Sequence, residues 1–188
     1  MSKLIVISGP SGAGKGTVVK ELLKIYEDNK DKVYLSVSAT TRSPREGEID
    51  GVSYYFIKEK DFLEKIENQE FLEYNKYGTG KYYGTLKNHV FEYLNKGYDV
   101  LLEIDINGYK QVINNYKDAV GIFITTPSLK VLEERLRNRG TETEEQIRKR
   151  LETAREELKN KDIYPHIIIN EDGKSNDAAK MVYDIIKK

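Results

Sequence analysis

The chain has 188 residues, which is enough for one domain with a sizeable core and short for two independent domains. Basic and acidic residues are equal at 31 each, so no global charge favours nucleic acid or an anionic membrane as a partner. The absence of cysteine excludes disulfides, thiolate catalysis and cysteine zinc sites, and no apolar run is long enough to span a bilayer. We therefore expect a cytoplasmic protein with no nucleic-acid partner and no membrane partner.

Apolar runs alternate with helical patterns along the chain. The predicted strands are Leu4 to Ser8, Tyr34 to Val37, Asp99 to Asp105, Val120 to Thr125 and His166 to Asn170. The predicted helices are Lys15 to Asp28, Leu86 to Lys96, Asn107 to Tyr116, Ser128 to Asn138, Thr143 to Lys159 and Asn176 to Lys187. Several strands are apolar on consecutive residues, as is typical of strands covered on both faces. The alternation predicts an α/β fold, with a parallel sheet flanked by helices.

A glycine-rich segment, GPSGAGKGT, follows the first predicted strand directly. Its spacing of glycine, four residues, glycine and lysine matches the phosphate-binding loop (P-loop), in which backbone amides converge on phosphate oxygens with no Cβ in the way. The following helix points its positive N-terminal end at the same anion, and Lys15 adds a mobile charge. The residues predicted to bind nucleotide phosphate are Gly9, Pro10, Ser11, Gly12, Ala13, Gly14, Lys15, Gly16 and Thr17.

One position of this loop departs from the usual pattern and leaves the contact with magnesium open. Gly16 stands where a serine or threonine ordinarily supplies a hydroxyl group to Mg²⁺. Either Thr17 replaces that hydroxyl, or nucleotide oxygens and water hold the ion, which Mg²⁺ tolerates well. Glu103 and Asp105 end a predicted strand at the sheet edge where ligands bind, so either would hold hydrated Mg²⁺ or contact substrate. The alternative for such an acid is a helix cap.

Two stretches interrupt the alternation of strands and helices. Residues 38–85 are rich in tyrosine, glycine and charge, which predicts an inserted subdomain at the rim of the sheet, with short β-like pieces and one short helix. In residues 137–150, Gly140 ends one helix, and a capping-box pattern at 143–146 begins the next. Because this second stretch has little apolar anchoring, it is a candidate mobile lid.

Arginine is the rarer cation, and its placement is uneven. All eight arginines fall within residues 42–45 and 135–155. Arginine grips phosphate or carboxylate with two parallel hydrogen bonds, which lysine cannot do, so the distribution predicts two anion sites besides the glycine-rich loop. For Arg137, Arg148 and Arg155, a surface helix laced with ion pairs is an equal alternative, because glutamates lie close by.

With these segments in place, the chain resembles the guanylate kinase family, which phosphorylates GMP with ATP. The resemblance rests on SGPSGAGKGT, SVSATTRSPREGEIDGVSYYF, EFLEY, YYGT, LEIDINGYKQV, RNRGTETEEQIRKRL and IIIN, which follow the family's motifs in order. It implies a P-loop kinase core of about residues 1–37, 86–138 and 156–188, a GMP-binding insertion of about 38–85 and a mobile helical lid of about 139–155. It also implies ATP and GMP, with dGMP, as substrates and Mg²⁺ as cofactor. We expect a monomer or a small homo-oligomer.

The resemblance also assigns site residues. It gives the GMP phosphate to Arg42, Arg45, Tyr54 and Tyr83, and the guanine base to Ser38, Glu73 and Thr85, with Asp105 close to it. It gives catalysis to Lys15, Arg42, Arg135, Arg139 and Arg150, and a place near the adenine of ATP to Asn170. One departure is that NKYGTGKYYGT is one residue longer before Tyr82 than in some relatives.

The chemistry of Glu73 supports a guanine site independently. Guanine offers two donors on one edge, and a carboxylate accepts both, whereas adenine presents an acceptor there. A buried acceptor left unpaired costs about 1 to 3 kcal/mol. Two other function classes remain. A non-catalytic guanylate-kinase-like binding module is disfavoured by the intact glycine-rich loop, and a kinase for another phosphorylated small molecule is disfavoured by Ser38, Glu73 and Thr85 together.

Overall fold

The computed structural model describes residues 2–138, 140 and 143–188. The strands are β1 (Leu4–Ser8), β2 (Val33–Leu35), β3 (Ala39–Thr40), β4 (Tyr55–Phe56), β5 (Phe71–Lys76), β6 (Tyr82–Leu86), β7 (Asp99–Glu103), β8 (Val120–Thr125) and β9 (His166–Ile169). The α-helices are α1 (Lys15–Asp28), α2 (Glu59–Glu67), α3 (Lys87–Asn95), α4 (Ile106–Asn115), α5 (Leu129–Asn138), α6 (Glu144–Lys159) and α7 (Ser175–Ile186). A 3₁₀ turn, Lys161–Ile163, precedes β9.

Five parallel strands form the main sheet in the order β2-β7-β1-β8-β9. Helices α1 and α7 cover one face, where Val18, Leu22 and Val182 pack in one apolar cluster, and α3 and α4 contribute to the cluster on the other face. Every residue of the central strand β1 is buried, which explains its unbroken apolar run. The predicted α/β fold with a parallel sheet flanked by helices is confirmed, and each predicted helix and strand of this core ends within about two residues of its observed limits.

A second sheet stands at the rim of the first and has the order β4-β3-β6-β5. Strands β3 and β4 pair in parallel, and β6 pairs antiparallel with β3 and β5. Its small core joins α2 to the sheet through Ala39, Phe62, Phe71 and Leu86. The sequence does not predict β6, because its YYGTL segment contains a glycine and lacks a clear alternation of apolar and polar residues. Pairing on both sides supplies the backbone hydrogen bonds that hold it extended.

The helices α5 and α6 pack against each other through their own apolar cluster. Leu132 and Leu136 of α5 meet Ile147, Leu151 and Ala154 of α6. The expectation of little apolar anchoring is therefore wrong for α6, because residues at helical spacing place three buried side chains on one face. The capping-box prediction is confirmed, since the Thr143 hydroxyl accepts from the Gln146 backbone and the Gln146 side chain accepts from the Thr143 backbone.

A polar cluster closes the end of the main sheet that is opposite the carboxyl ends of its strands. The Asp99 side chain is 6% exposed and accepts hydrogen bonds from the Lys3 backbone at 2.9 Å and the Tyr26 hydroxyl at 2.8 Å. The Lys187 ammonium group lies 3.0 Å from both Asp99 and the more exposed Asp31. The buried carboxylate thus ties the first strand, the first helix and the C-terminal helix together.

We predict that Asp99→Ala lowers the free energy of unfolding by about 3 kcal/mol, because it leaves buried donors without an acceptor. Asp31→Ala is the matched control and should cost about 1 kcal/mol or less, since the Asp31 side chain is 36% exposed and water can replace much of its role. Urea unfolding of both variants gives the comparison. Equal losses of unfolding free energy in the two variants would show that the contribution of Asp99 to stability does not depend on its burial.

Candidate active site

The glycine-rich loop lies between β1 and α1 and needs glycine at defined points. Gly9 has φ 143°, and a Cβ there would lie 1.9 Å from the Ile124 carbonyl oxygen. Gly14 has φ 83° at the N-cap of α1, and a Cβ there would lie 2.5 Å from Asn170 Nδ2. The same amide group donates to the Ala13 carbonyl oxygen at 2.9 Å. Backbone conformation and close approach to Ile124 and Asn170 therefore favour glycine at both positions.

Two cavities meet at this loop. The larger, of about 760 Å³, lies at the carboxyl edge of the parallel sheet and extends beneath the second sheet; its lining includes Lys15, Ser38, Tyr54, Glu73, Tyr83 and Asp105. The smaller, of about 430 Å³, is lined by Ser11, Gly12, Gly14, Lys15, Gly16, Thr17 and Glu103. Ser11, Lys15 and Glu103 belong to both linings. The Lys15 ammonium group donates to the carbonyl oxygens of Gly9 and Pro10, at 2.5 and 3.2 Å.

Glu73 lines the larger cavity, and Thr85 is its buried neighbour. They face each other across the β5–β6 ladder, and the Thr85 hydroxyl donates to Glu73 Oε1 at 2.7 Å. The Glu73 side chain is 5% exposed. The pKa of Glu73 is raised to about 7, mainly because the carboxyl is removed from water; the hydrogen bond from Thr85 opposes this rise and the charge of Asp105 adds to it. The Glu73 carboxyl is therefore close to its pKa at neutral pH.

Arg42 contacts Tyr54 and Tyr83, which line the same cavity, and its side chain is already oriented. Its guanidinium group donates to both carboxylate oxygens of Glu48 at 2.8 Å and, through Nε, to the Tyr83 hydroxyl at 3.1 Å. The Tyr54 ring lies under the guanidinium carbon at 5.4 Å. Arg42, Tyr54 and Tyr83 are thus brought together, whereas Arg45 is exposed in the adjoining loop.

Sequence reasoning missed Glu48, which fixes this arginine. Arg42, with the backbone amide of Arg45, lowers the pKa of the Glu48 carboxyl to about 2. The available signal was an acid three residues after Arg45 in a turn-forming stretch, where its carboxylate can accept from the backbone.

Asp105 is the N-cap of α4, as the helix-cap alternative predicts. Its Oδ1 accepts from the Gly108 backbone at 2.8 Å, and its Oδ2 accepts from the Tyr77 hydroxyl at 2.7 Å and from Asn75 at 3.1 Å. Tyr77 and Asn75 also line the larger cavity, and the sequence did not identify them. Asn75 lies on β5 and Tyr77 just after it, two and four residues beyond Glu73. Side chains at every second position of a strand share a face, and that alternation was the available signal.

The helices α5 and α6 bring arginines to the glycine-rich loop. Arg150 donates to the Ser11 hydroxyl at 2.5 Å. Arg135 donates to Asp172 at 2.6 Å, to the Asn170 carbonyl oxygen at 2.8 Å and to the Ala13 carbonyl oxygen at 3.3 Å. Both arginines therefore link the helical pair to the loop.

Two other arginines of this region have different outcomes. Arg139, predicted to be catalytic, lies outside the described residues. Arg137 pairs with Glu133 and Glu144 on the surface, so the ion-pair alternative is confirmed for it.

A protein-family model described as guanylate kinase matches residues 1–188, which is the whole chain. The chain belongs to the guanylate kinase family. It is 50% identical over 183 residues to a guanylate kinase of Clostridium tetani, with 97% of this chain and 84% of that protein covered. It is 46% identical over 187 residues to one from Prochlorococcus marinus, with 100% and 98% covered. The crystal structure of guanylate kinase from Anaplasma phagocytophilum is 28% identical, with a TM-score of 0.76 over 99% of this chain and 85% of that one.

Glu157 is a further acid of this guanylate kinase fold that the sequence did not single out. It projects from α6 into the larger cavity. Burial raises the pKa of Glu157 to about 7, while the charge of Lys15 opposes that rise. Glu157 follows buried Ala154 by three residues and buried Leu151 by six, but this spacing was too weak a signal, because glutamate is common on exposed helix faces. Among the described helices, none is long and apolar enough to cross a bilayer.

We predict that Glu73→Gln stabilises the protein more at about pH 8 than at about pH 5. The pKa of Glu73 is about 7 in the folded protein and 4.5 ordinarily, so the folded state holds a proton that the unfolded state has lost between those values. Wild-type stability therefore falls as pH rises through 7, by on the order of 3 kcal/mol, while glutamine stays neutral. Urea unfolding at the two pH values measures the difference.

The matched control for this experiment is Glu48→Gln. Because the pKa of Glu48 is lowered to about 2, its contribution is constant across that pH range, and the difference from wild type should be the same at both values. A pH-independent difference for Glu73→Gln would mean that the carboxyl is not desolvated as the structure indicates.

Proposed function

We propose how this guanylate kinase family member divides its cavity between the substrates of the reaction that transfers the γ-phosphoryl group of ATP to GMP. GMP occupies the part between the two sheets, with its base at Glu73 and its phosphate at Arg42. ATP lies along the glycine-rich loop. The observation that supports this division is that one continuous space joins Lys15 to both Glu73 and Tyr83.

The proposed guanine site uses Ser38, Glu73 and Thr85. The Thr85 hydroxyl occupies Oε1 of Glu73, so the carboxylate retains lone pairs for the two guanine donors, N1–H and the exocyclic amine. Adenine would place an acceptor against that carboxylate and would lack the O6 oxygen, to which the Ser38 hydroxyl can donate while the Thr85 hydroxyl donates to Glu73. Discrimination between the two purines then follows from buried groups that only guanine satisfies. We propose that the same site also binds dGMP.

The proposed phosphate site consists of Arg42, Arg45, Tyr54 and Tyr83. Glu48 holds the Arg42 guanidinium in place before any ligand arrives, and the ring of Tyr54 stacks beneath it. Such preorganisation reduces the ordering cost of binding. The acceptor phosphate is an anion at neutral pH, so the chain needs no dedicated general base for its attack.

At the ATP end, the loop amides, Lys15 and the arginines of the helical pair would neutralise charge on the transferring group. Arg135 and Arg150 already contact loop atoms, and we keep Arg139 as a catalytic residue alongside them. Asn170, anchored on the Ala13 carbonyl oxygen, stands near the proposed adenine position. Movement of α6 with its Glu157 and Arg150 would close the cavity against water and suppress ATP hydrolysis.

Mg²⁺ is the proposed cofactor, held mainly by nucleotide oxygens and water. Among the described residues, no group of three metal-ligating side chains is clustered, which fits an ion that keeps its hydration shell. A Cβ at Gly16 would meet nothing within 4 Å, so the smaller cavity has room for such an ion beside Thr17. Thr17 is the proposed direct contact, and Asp105 the contact through water. When bound, the ion would neutralise charge on the phosphate oxygens.

The non-catalytic binding module is not favoured, because the relatives that cover almost the whole chain are guanylate kinases. Cytoplasmic location and a monomeric or small homo-oligomeric state stay predictions from the sequence.

The decisive experiment measures ADP formation from ATP with GMP, dGMP, AMP, CMP and UMP in turn. We expect turnover with GMP and dGMP and weak turnover with the others. Glu73→Gln should lower kcat/KM for GMP by about tenfold or more and leave the KM for ATP nearly unchanged. ADP formation of equal size without any monophosphate would contradict the proposal.

Lys15→Ala provides the second arm of this experiment. It removes the charge at the junction of the two cavities and should abolish turnover, because the transferring group then lacks that neutralisation. Its melting temperature should stay close to that of the wild type, since the side chain is in the site and outside the apolar core. Retained turnover in a folded Lys15→Ala variant would reject the assigned role.

A further inference from the structure

Gly108 lies in the first turn of α4, where glycine is unexpected. Its backbone has an ordinary helical conformation, so no positive φ requires glycine there. Glycine is among the poorest helix formers, and alanine would suit this position better on propensity alone. Gly108 is also buried, so its lack of a side chain leaves space inside the protein.

The nearest atom is the second carboxylate oxygen of Glu73. A Cβ at position 108 would lie 2.7 Å from Glu73 Oε2 and 3.2 Å from Glu73 Cδ. The other neighbour, the tip of the Ile104 side chain, would lie at 3.1 Å. A carbon atom 2.7 Å from a carboxylate oxygen is well inside van der Waals contact, so one of the two must move. The carboxylate is the end of a side chain, and it would be the group to move.

Glu73 is held from the other side as well. The Thr85 hydroxyl binds Oε1 at 2.7 Å, and the Asp105 cap holds the start of α4 through the Gly108 amide at 2.8 Å. The carboxylate is therefore clamped between β6 and the first turn of α4. Since its two oxygens are to meet two donors of a planar base, a small displacement would break that match while leaving the fold intact.

We propose that Gly108 is a positioning residue for guanine specificity, whose missing side chain lets the Glu73 carboxylate take the orientation that guanine requires. The inference rests on the proposed role of Glu73 in the guanine site. It concerns a residue that contacts Glu73 rather than substrate, so its effect should appear in the KM for GMP and in base selectivity, and be absent from ATP binding.

The experiment compares Gly108→Ala with Asn107→Ala, its exposed neighbour in the same helical turn. Gly108→Ala should raise the KM for GMP by about tenfold or more and keep kcat and the KM for ATP within about twofold. Its preference for GMP over IMP, which lacks the exocyclic amine, should fall as well. Its melting temperature should equal or exceed that of the wild type, because alanine favours the helix. Asn107→Ala should leave all of these values unchanged.

A double-mutant cycle with Glu73→Ala tests whether the effect of Gly108→Ala depends on the Glu73 carboxylate. Without the carboxylate there is nothing for the new Cβ to displace, so Gly108→Ala should change kcat/KM for GMP by less than about twofold in that background. A wild-type KM for GMP in Gly108→Ala would overturn the inference, as would an equal loss in both backgrounds. A lower melting temperature with parallel losses for GMP and ATP would also overturn it, by making Gly108 a structural residue.

Failure of the proposed function has a separate signature. If Glu73→Ala alone leaves the KM for GMP and the preference over IMP unchanged, Glu73 does not read guanine, and the inference falls with that assignment. If Glu73→Ala impairs both and Gly108→Ala impairs neither, the guanine site stands and the role of Gly108 is rejected.

Discussion

The GMP end of this protein depends on one carboxylate that has been taken out of water. Glu73 accepts one hydrogen bond from Thr85 and otherwise faces α4 and the cavity. Desolvation makes its charged form costly, which is why its pKa is raised to about 7. A ligand with two donors on one edge removes that cost, and a ligand with an acceptor there adds to it. Desolvation of Glu73 thus accounts both for the preference for guanine and for the free-energy cost of ionising the empty site.

The glycine-rich loop packs closely against the neighbouring strand β8. Gly9 lies so near the Ile124 carbonyl oxygen that no side chain fits between β1 and β8. The loop is in turn contacted by Asn170, Arg135 and Arg150, which come from three different elements after it in the chain. The position of the helical pair and the end of β9 is therefore set by contacts with the loop. Lys15 stands where this assembly meets the space that leads to Glu73.

The sequence was most informative where a local rule decides the structure. Periodicity predicted the core strands and helices, and spacing predicted the glycine-rich loop and the capping box at Thr143. It was least informative where distant segments meet. Glu48 beside Arg42, Tyr77 on Asp105 and Glu157 above Lys15 depend on how the second sheet and α6 are placed on the first. The apolar face of α6 escaped notice because charged residues dominate that stretch. Gly108 falls inside a predicted helix, and nothing in the local sequence places it against Glu73.

A carboxyl-carbon NMR titration of Glu73 shows whether guanine binds the ionised form of a desolvated carboxyl. In the empty protein the midpoint should lie near the pKa of about 7. With saturating GMP it should move clearly lower, because the two guanine donors bind only the carboxylate and linkage then stabilises that form. AMP should leave the midpoint where it was. A midpoint that GMP does not move, or an ordinary acidic midpoint in the empty protein, would show that guanine does not bind the ionised form of a desolvated carboxyl.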